Sequence, residues 1–232
     1  ACLQVVHDAL DLASREGISV ITPYVLAHGT AAALSSGDQE TAATFLGKLH
    51  PGPDHPQGLA RESFHTLTLW KALLENDLPK AAFHAESGLR VAKATGTPIT
   101  IALSDIGMSL VLYGLGREQE ALVHLDRASA HSRAIGSLQI EFLCHLVGAE
   151  LALKSSEQQT AEDFLRRGMA VGAEHRFWNT WLWRPDVMAD LCCEALQRNI
   201  EVDYVRELVR KRELFPATPP VDSDQWPWPV KI

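Results

Sequence analysis

Apolar residues between 97 and 136 fall into two helical patterns of different kinds. From Pro98, the stretch carrying Ile101, Leu103, Ile106, Leu110 and Leu112 is apolar nearly all round, which predicts a helix sandwiched between neighbours. Thr97 predicts its N-cap, Pro98 sits where a missing N–H costs nothing, and Gly114 and Gly116 predict its end. The following stretch, Glu118 to Ile135, confines Ala121, Leu122, Leu125 and Ala128 to one stripe and sets Glu118, Arg127 and Arg133 elsewhere. That predicts an outer helix, which Gly136 stops as Gly96 stops its counterpart 40 residues earlier.

The same template predicts helices over Pro23–Ser36 with Asp38–Leu49, Pro56–Glu75 with Leu78–Thr95, and Leu138–Lys154 with Glu157–Ala173. An opening helix over Leu3–Arg15 and a closing pair over Pro185–Arg198 and Val202–Glu213 complete the series. No strand is predicted, except that Pro229–Ile232 could open one. Turn residues recur at Gly37, Asn76, Gly116 and Ser156, and five residues after each stands an alanine: Ala42, Ala81, Ala121 and Ala161. A period of 39 to 40 residues marks stacked helical pairs. Two helices approach to about 8–10 Å only where the crossing residue is small, and Gly88, Ala128 and Gly168 supply a second small position seven residues on. Leu125 and Leu165 fill the space between, each burial contributing about 2 kcal/mol.

Composition narrows the class without changing it. The 232 residues are 46% apolar and 22% charged, ordinary for a globular chain, and the net charge of −8 disfavours direct nucleic-acid binding and anionic membranes. Cys2, Cys144, Cys192 and Cys193 lack the spacing of a zinc site or a disulfide framework, so buried thiols in a cytoplasmic protein are expected. No apolar run is long enough to cross a bilayer. The prolines Pro216, Pro219, Pro220, Pro227 and Pro229 predict an extended linker over 214–232 after a repeat domain over 1–213. The start at Ala1 and the close at Lys231–Ile232 suggest a piece of a longer protein.

The stretch from Leu112 to Leu122, LYGLGREQEAL, resembles the turn and second helix of tetratricopeptide repeats. The segments Ile200–Arg206 and Trp226–Ile232 resemble the junction before a C-terminal winged-helix domain in MalT-like and LuxR-like bacterial ATP-dependent transcription regulators. The resemblance spans essentially the whole chain. It implies an all-α fold, a right-handed α-α superhelix of tetratricopeptide-like pairs with about eleven helices. It also implies an ATPase module upstream, a winged-helix DNA-binding domain downstream, and this region between them as the sensor or partner-binding segment. The bulky residue usual at the start of each first helix is irregular here, the equivalent sites being Leu26, His65, Asp105 and His145.

In repeats of this kind the first helices line a concave face, which gives Tyr24, His28, Thr66, Trp70, Leu73, Ile106, Leu110, Tyr113 and Glu150 as groove candidates for an effector, a peptide or a neighbouring domain. The competing reading makes Trp70, Leu73 and Leu110 inter-repeat core. His65, Asp105 and His145 recur every 40 residues, but equivalent residues of adjacent pairs lie about 10 Å or more apart, too far to share a metal. His124 and His131 fail the same distance test, and the Pro-rich run from His50 to His55 is a poor ligand set, so no metal or cofactor is expected. Arg206, Arg210, Lys211 and Arg212 form a basic patch that reads better as a solvated face than as a contact with DNA or with the acidic surface of a neighbouring domain. Phe177, Trp178, Trp181 and Trp183 interrupt the repeat and read as a cap on its apolar end, with sugar stacking as the alternative.

An enzyme would need a nucleophile, base and orienter, and none of GxSxG, HExxH, GxxxxGK[ST] or CxxC occurs. The expected function is therefore a non-catalytic sensor or interaction module of a signal-responsive regulator. The rival is a stand-alone scaffold or co-chaperone holding peptide segments.

Overall fold

The computed structural model describes residues 2–18, 20–50 and 58–216. The expected linker over 214–232 and the run from His50 to His55 lie almost entirely outside them. The described residues are all-α, and their eleven helices are α1 (Cys2–Arg15), α2 (Thr22–Ser36), α3 (Gln39–Leu49), α4 (Gly58–Leu74), α5 (Leu78–Thr95), α6 (Pro98–Gly114), α7 (Glu118–Ile135), α8 (Leu138–Lys154), α9 (Gln158–His175), α10 (Pro185–Gln197) and α11 (Val202–Arg212).

The chain divides into two compact units, Ala1–His124 and Leu125–Ile232, with the division inside α7. In the first unit α2 packs on α3 and α4 on α5, while α4 also packs on α2 and α3, and α6 on α5 and α4. Among the described residues of this unit the helices pack on near neighbours in sequence, as stacked pairs require. In the second unit α8 packs on α9, α10 lies against both, and α11 closes on α9 and α10.

The small residues do what their spacing predicts. Ala42, Ala81, Ala121 and Ala161 are all 0% exposed. Around Ala81 the core joins Leu69 and Ala72 of α4 with Val111 of α6, so one methyl-sized side chain sits where three helices meet. The second small position lies against the first helix of its own pair. A Cβ on Gly88 would come to 3.3 Å from His65 Cβ, and one on Gly168 to 3.1 Å from His145 Cβ.

The turns repeat atom for atom. Gly37, Asn76, Gly116 and Ser156 all adopt the left-handed conformation, with φ of 79°, 56°, 74° and 61°. After each, the next N–H returns to a carbonyl five residues back: Asp38 to Ala33, Asp77 to Ala72, Arg117 to Leu112 and Glu157 to Ala152, at 2.8–2.9 Å. This Schellman closure satisfies carbonyls that the helix end leaves open. Asp38 and Asp77 then cap the following helices by accepting the N–H of Thr41 and Lys80. Thr41, through its side chain and then its backbone N–H, holds the Asp38 carboxyl below its ordinary pKa.

Two local expectations are corrected. Thr97 occupies the N-cap of α6, but its hydroxyl accepts nothing; its carbonyl takes the Ile101 N–H and the Thr100 hydroxyl instead, and Pro98 at the first position presets the helix. Leu122 is not on the buried stripe of α7: it is 42% exposed, and the stripe runs Ala121, Leu125, Ala128, Ser132. A residue beside Ala121 turns about 100° away from it, enough to leave the buried face.

Holding a non-glycine residue left-handed costs roughly 1–2 kcal/mol, partly offset by the greater freedom glycine has when unfolded. Ser156→Gly is therefore expected to stabilise by about 0.5–1 kcal/mol, Asn76→Gly by less because Asn tolerates this region, and Gly116→Ala to destabilise by about 1 kcal/mol. Urea melts of the three variants check the ordering.

Candidate functional site

The residues projected onto a groove divide by burial. Tyr24 is 48% exposed and His28 is exposed, both on α2. Trp70 and Ile106 are core side chains with almost no exposed surface, and Leu110 and Thr66 are buried. Leu73 is half-buried against the Leu69–Ala81 core, and Tyr113 is half-buried on α6. The structure thus leaves Tyr24 and His28 accessible and commits Trp70 and Ile106 to packing. Glu150 belongs to a different environment.

Glu150 lies on α8, 4% exposed, with cations on two sides. Arg184, the residue before α10, grips it with both terminal nitrogens: Nη1 donates to Oε1 at 2.9 Å and Nη2 donates to Oε2. Lys154, one turn further along α8, donates to Oε1 at 2.7 Å. Burial alone would push the Glu150 carboxyl up, but the Arg184 guanidinium and then Lys154 outweigh it and hold it below the ordinary range. The pair therefore stays ionised at neutral pH and pins the loop before α10 to α8.

Beside this ion pair lies a shallow, half-open cleft with room for about one water molecule, walled by Leu143, Leu146 and Val147 of α8, Thr180, Leu182 and Trp183 of the loop, and Val187, Met188 and Leu191 of α10. Thr180 is buried, and its Oγ1 has no hydrogen-bond partner among the described residues. Its apolar walls hold one unspent hydroxyl, and the guanidinium at its edge is committed to Glu150. Sequence reasoning found Glu150 and missed Thr180, because no periodicity governs the loop that carries it.

The aromatic segment and basic patch form one assembly. The Tyr204 hydroxyl donates to the Phe177 carbonyl at 2.6 Å, and its ring stacks on Trp178 at 5.3 Å. Lys211 Nζ stands 4.1 Å over the Trp178 ring and Arg212 4.5 Å over Trp183. Phe177 reaches back to Phe142 of α8. Two of the four basic residues are thus engaged with tryptophans, so this helix face is more than a solvated one. Trp183 is buried, and the aromatic segment locks α8, the loop and α11 together inside the second unit.

A further column of residues was hidden by its distance in sequence. His65 and His84 approach Nδ1 to Nδ1 at 3.0 Å; His124 Nδ1 donates to buried Asp105 Oδ1 at 2.7 Å; His145 faces Phe164 with ring centroids 6.0 Å apart. Each pair is 19 residues apart, one member on the first helix and one on the second. The second members, Phe45, His84, His124 and Phe164, are aromatic in every repeat, a sequence signal that could have found them. His65, Asp105 and His145 pack within their own pairs, and among the described residues no three His, Cys, Asp or Glu side chains converge to hold a metal.

Burial, then the neighbouring charges of His84 and Arg61, push His65 down to about 4; burial, then Lys80, lowers His84. Cys144 and Cys193 are free thiols raised to about 11 by burial, and fully buried Cys192 is raised further, so all three are inert as nucleophiles. No helix among the described residues is long and apolar enough to cross a membrane.

No family model, curated protein or solved structure matches this chain.

Two outcomes follow. Removing one partner of a buried ion pair typically costs 3–5 kcal/mol, so Arg184→Met is expected to destabilise by about 3 kcal/mol, with Glu150→Met added in the same chain recovering most of it. Urea melts of both variants decide. A histidine with a depressed folded pKa binds its proton more readily when unfolded, so stability falls as pH drops from about 6.5 toward 4. Replacing the pair by His65→Leu with His84→Phe, the residues found at Leu26 and Phe45, is expected to remove about 1 kcal/mol of that acid-side loss, read from melts at pH 7 and pH 4.5.

Proposed function

We propose that this chain is a non-catalytic helical-repeat module, the sensor or partner-binding segment of a signal-responsive bacterial transcription regulator of the MalT-like or LuxR-like kind that its sequence resembles. The observation that carries the reading is the recurrence of one turn, one small crossing residue and one facing pair every 39 to 40 residues. Such stacking spends the chain's polar groups on geometry and presents long surfaces, which suits holding a partner better than turning over a substrate. In this proposal the segment works in the cytoplasm between an ATPase module and a winged-helix DNA-binding domain, and touches no nucleic acid or membrane itself.

Two surfaces serve such a role differently. The cleft beside Glu150 gives a small effector a shallow foothold, because the Thr180 hydroxyl stands unspent among apolar walls. The exposed side of α2 around Tyr24 and His28 suits a peptide or a neighbouring domain. An effector acts on the regulator only through unequal affinity for its two states, with coupling of about 1–3 kcal/mol.

A thermal-shift screen of small metabolites and short peptides tests the proposal. A ligand at about a hundred times its Kd should add about 2.7 kcal/mol to stability. For a small molecule in the cleft, Thr180→Val keeps the shape and should abolish the gain. For a peptide on α2, Tyr24→Ala with His28→Ala should do so. If no small molecule, peptide or flanking domain of the gene product stabilises the chain, the sensor reading fails.

A further inference from the structure

α1 is built like the second helix of a pair, yet no first helix among the described residues covers it. Its end shows the register: Gly17 is left-handed at φ 69°, as are Gly96 and Gly136 after α5 and α7. Counting by the repeat, Val5 stands in the column of Phe45, His84, His124 and Phe164, and Ala9 in that of Gly88, Ala128 and Gly168. In the complete pairs these columns face the pair's own first helix. Phe45 lies against Gly29 of α2, His84 against His65 of α4, His124 against Asp105 of α6, and Phe164 against His145 of α8.

In α1 the same face is open. Val5 is 66% exposed, whereas Phe45 is 2% exposed and the other three members of its column are half-buried. Leu12 is 52% exposed, whereas Val91, His131 and Val171 at its register are half-buried. Ala9 is half-buried where Gly88, Ala128 and Gly168 are buried. The adjacent face of α1, about 100° round the helix, is already used, with Val6 packed toward Gly29 of α2. Val5, Ala9 and Leu12 thus form an apolar stripe along one face, two turns long, that the other described residues leave uncovered.

We infer that this stripe is a docking face for a partner helix of the first-of-pair kind, predominantly apolar like α6 and α8, running antiparallel to α1. The repeat itself states what covers it, since the corresponding face in each of four other pairs is covered by such a helix. The occupant is not a second copy of this chain, because α2, α4, α6 and α8 each already lie against the second helix of their own pair. The inference stands independently of the regulatory reading.

The experiment fuses residues 58–79, which carry α4 and its turn, directly ahead of Ala1, the spacing that places α4 in repeat register with α1. Hydrogen exchange of α1 amides is then compared with the unfused chain. Protection is expected to rise at least about tenfold, and Val5→Asp with Leu12→Asp to abolish the rise while leaving the melt of the unfused chain unchanged, since both side chains are exposed. Unchanged exchange in the fusion, or a gain that survives the two aspartates, overturns the inference. Should the fusion not fold, a labelled peptide of residues 58–77 titrated onto the unfused chain replaces it. Saturable anisotropy lost with the two aspartates supports the docking face, and its absence or persistence overturns it. A dimer in sedimentation that the two aspartates dissociate would assign the stripe to self-association and also overturn it.

Discussion

The fold rests on backbone proximity at helix crossings. Ala81 is in contact range of helices on two sides, and any larger side chain there would have to displace a core that includes Leu69 and Val111. Close-packed interiors yield little, so the extra volume would appear as separation of the helices. Gly88 and Gly168 impose the same constraint one level up, where the first helix carries a histidine instead of an aliphatic residue. Once the crossings are fixed, the left-handed turns and their returning hydrogen bonds fix where each next helix starts.

Against that frame, polar groups have been fitted into places that another repeat would fill with carbon. The column occupied by Leu26 and Phe45 in one pair holds two histidines in the next and an aspartate with a histidine in the third. A buried carboxylate such as Asp105 needs a donor, and His124 supplies it from the facing helix. The substitution of aliphatic contacts by hydrogen bonds gives each pair its own chemistry while keeping the spacing. It also makes the first unit sensitive to acid, because a half-buried histidine pair gains charge only at a cost.

Much of this was legible in the sequence, for a physical reason. Turn residues, small crossing residues and the contrast between all-round and one-sided apolar helices are local signals, so helices such as Leu78–Thr95 and Glu118–Ile135 have the bounds that Gly96 and Gly136 dictate. Leu122 was misread because a single step along a helix, about 100° of turn, separates stripe from surface. The Glu150–Arg184 grip was not legible at all, since its partners are 34 residues apart across an aperiodic loop. The burial of Trp70 and Ile106 was only half legible, because an inward-facing apolar residue looks the same whether it meets a ligand or a neighbouring helix.

The tryptophans of the loop before α10 carry a practical corollary. Trp178 lies under an ammonium and Trp183 under a guanidinium, both supplied by α11, and Trp183 is shut away from solvent. Indole emission from these rings is therefore coupled to whether the last helix is seated. Any event that loosens that seat exposes the rings to water and strips away their cations at once, so the chain carries its own optical gauge of its C-terminal packing without an attached dye.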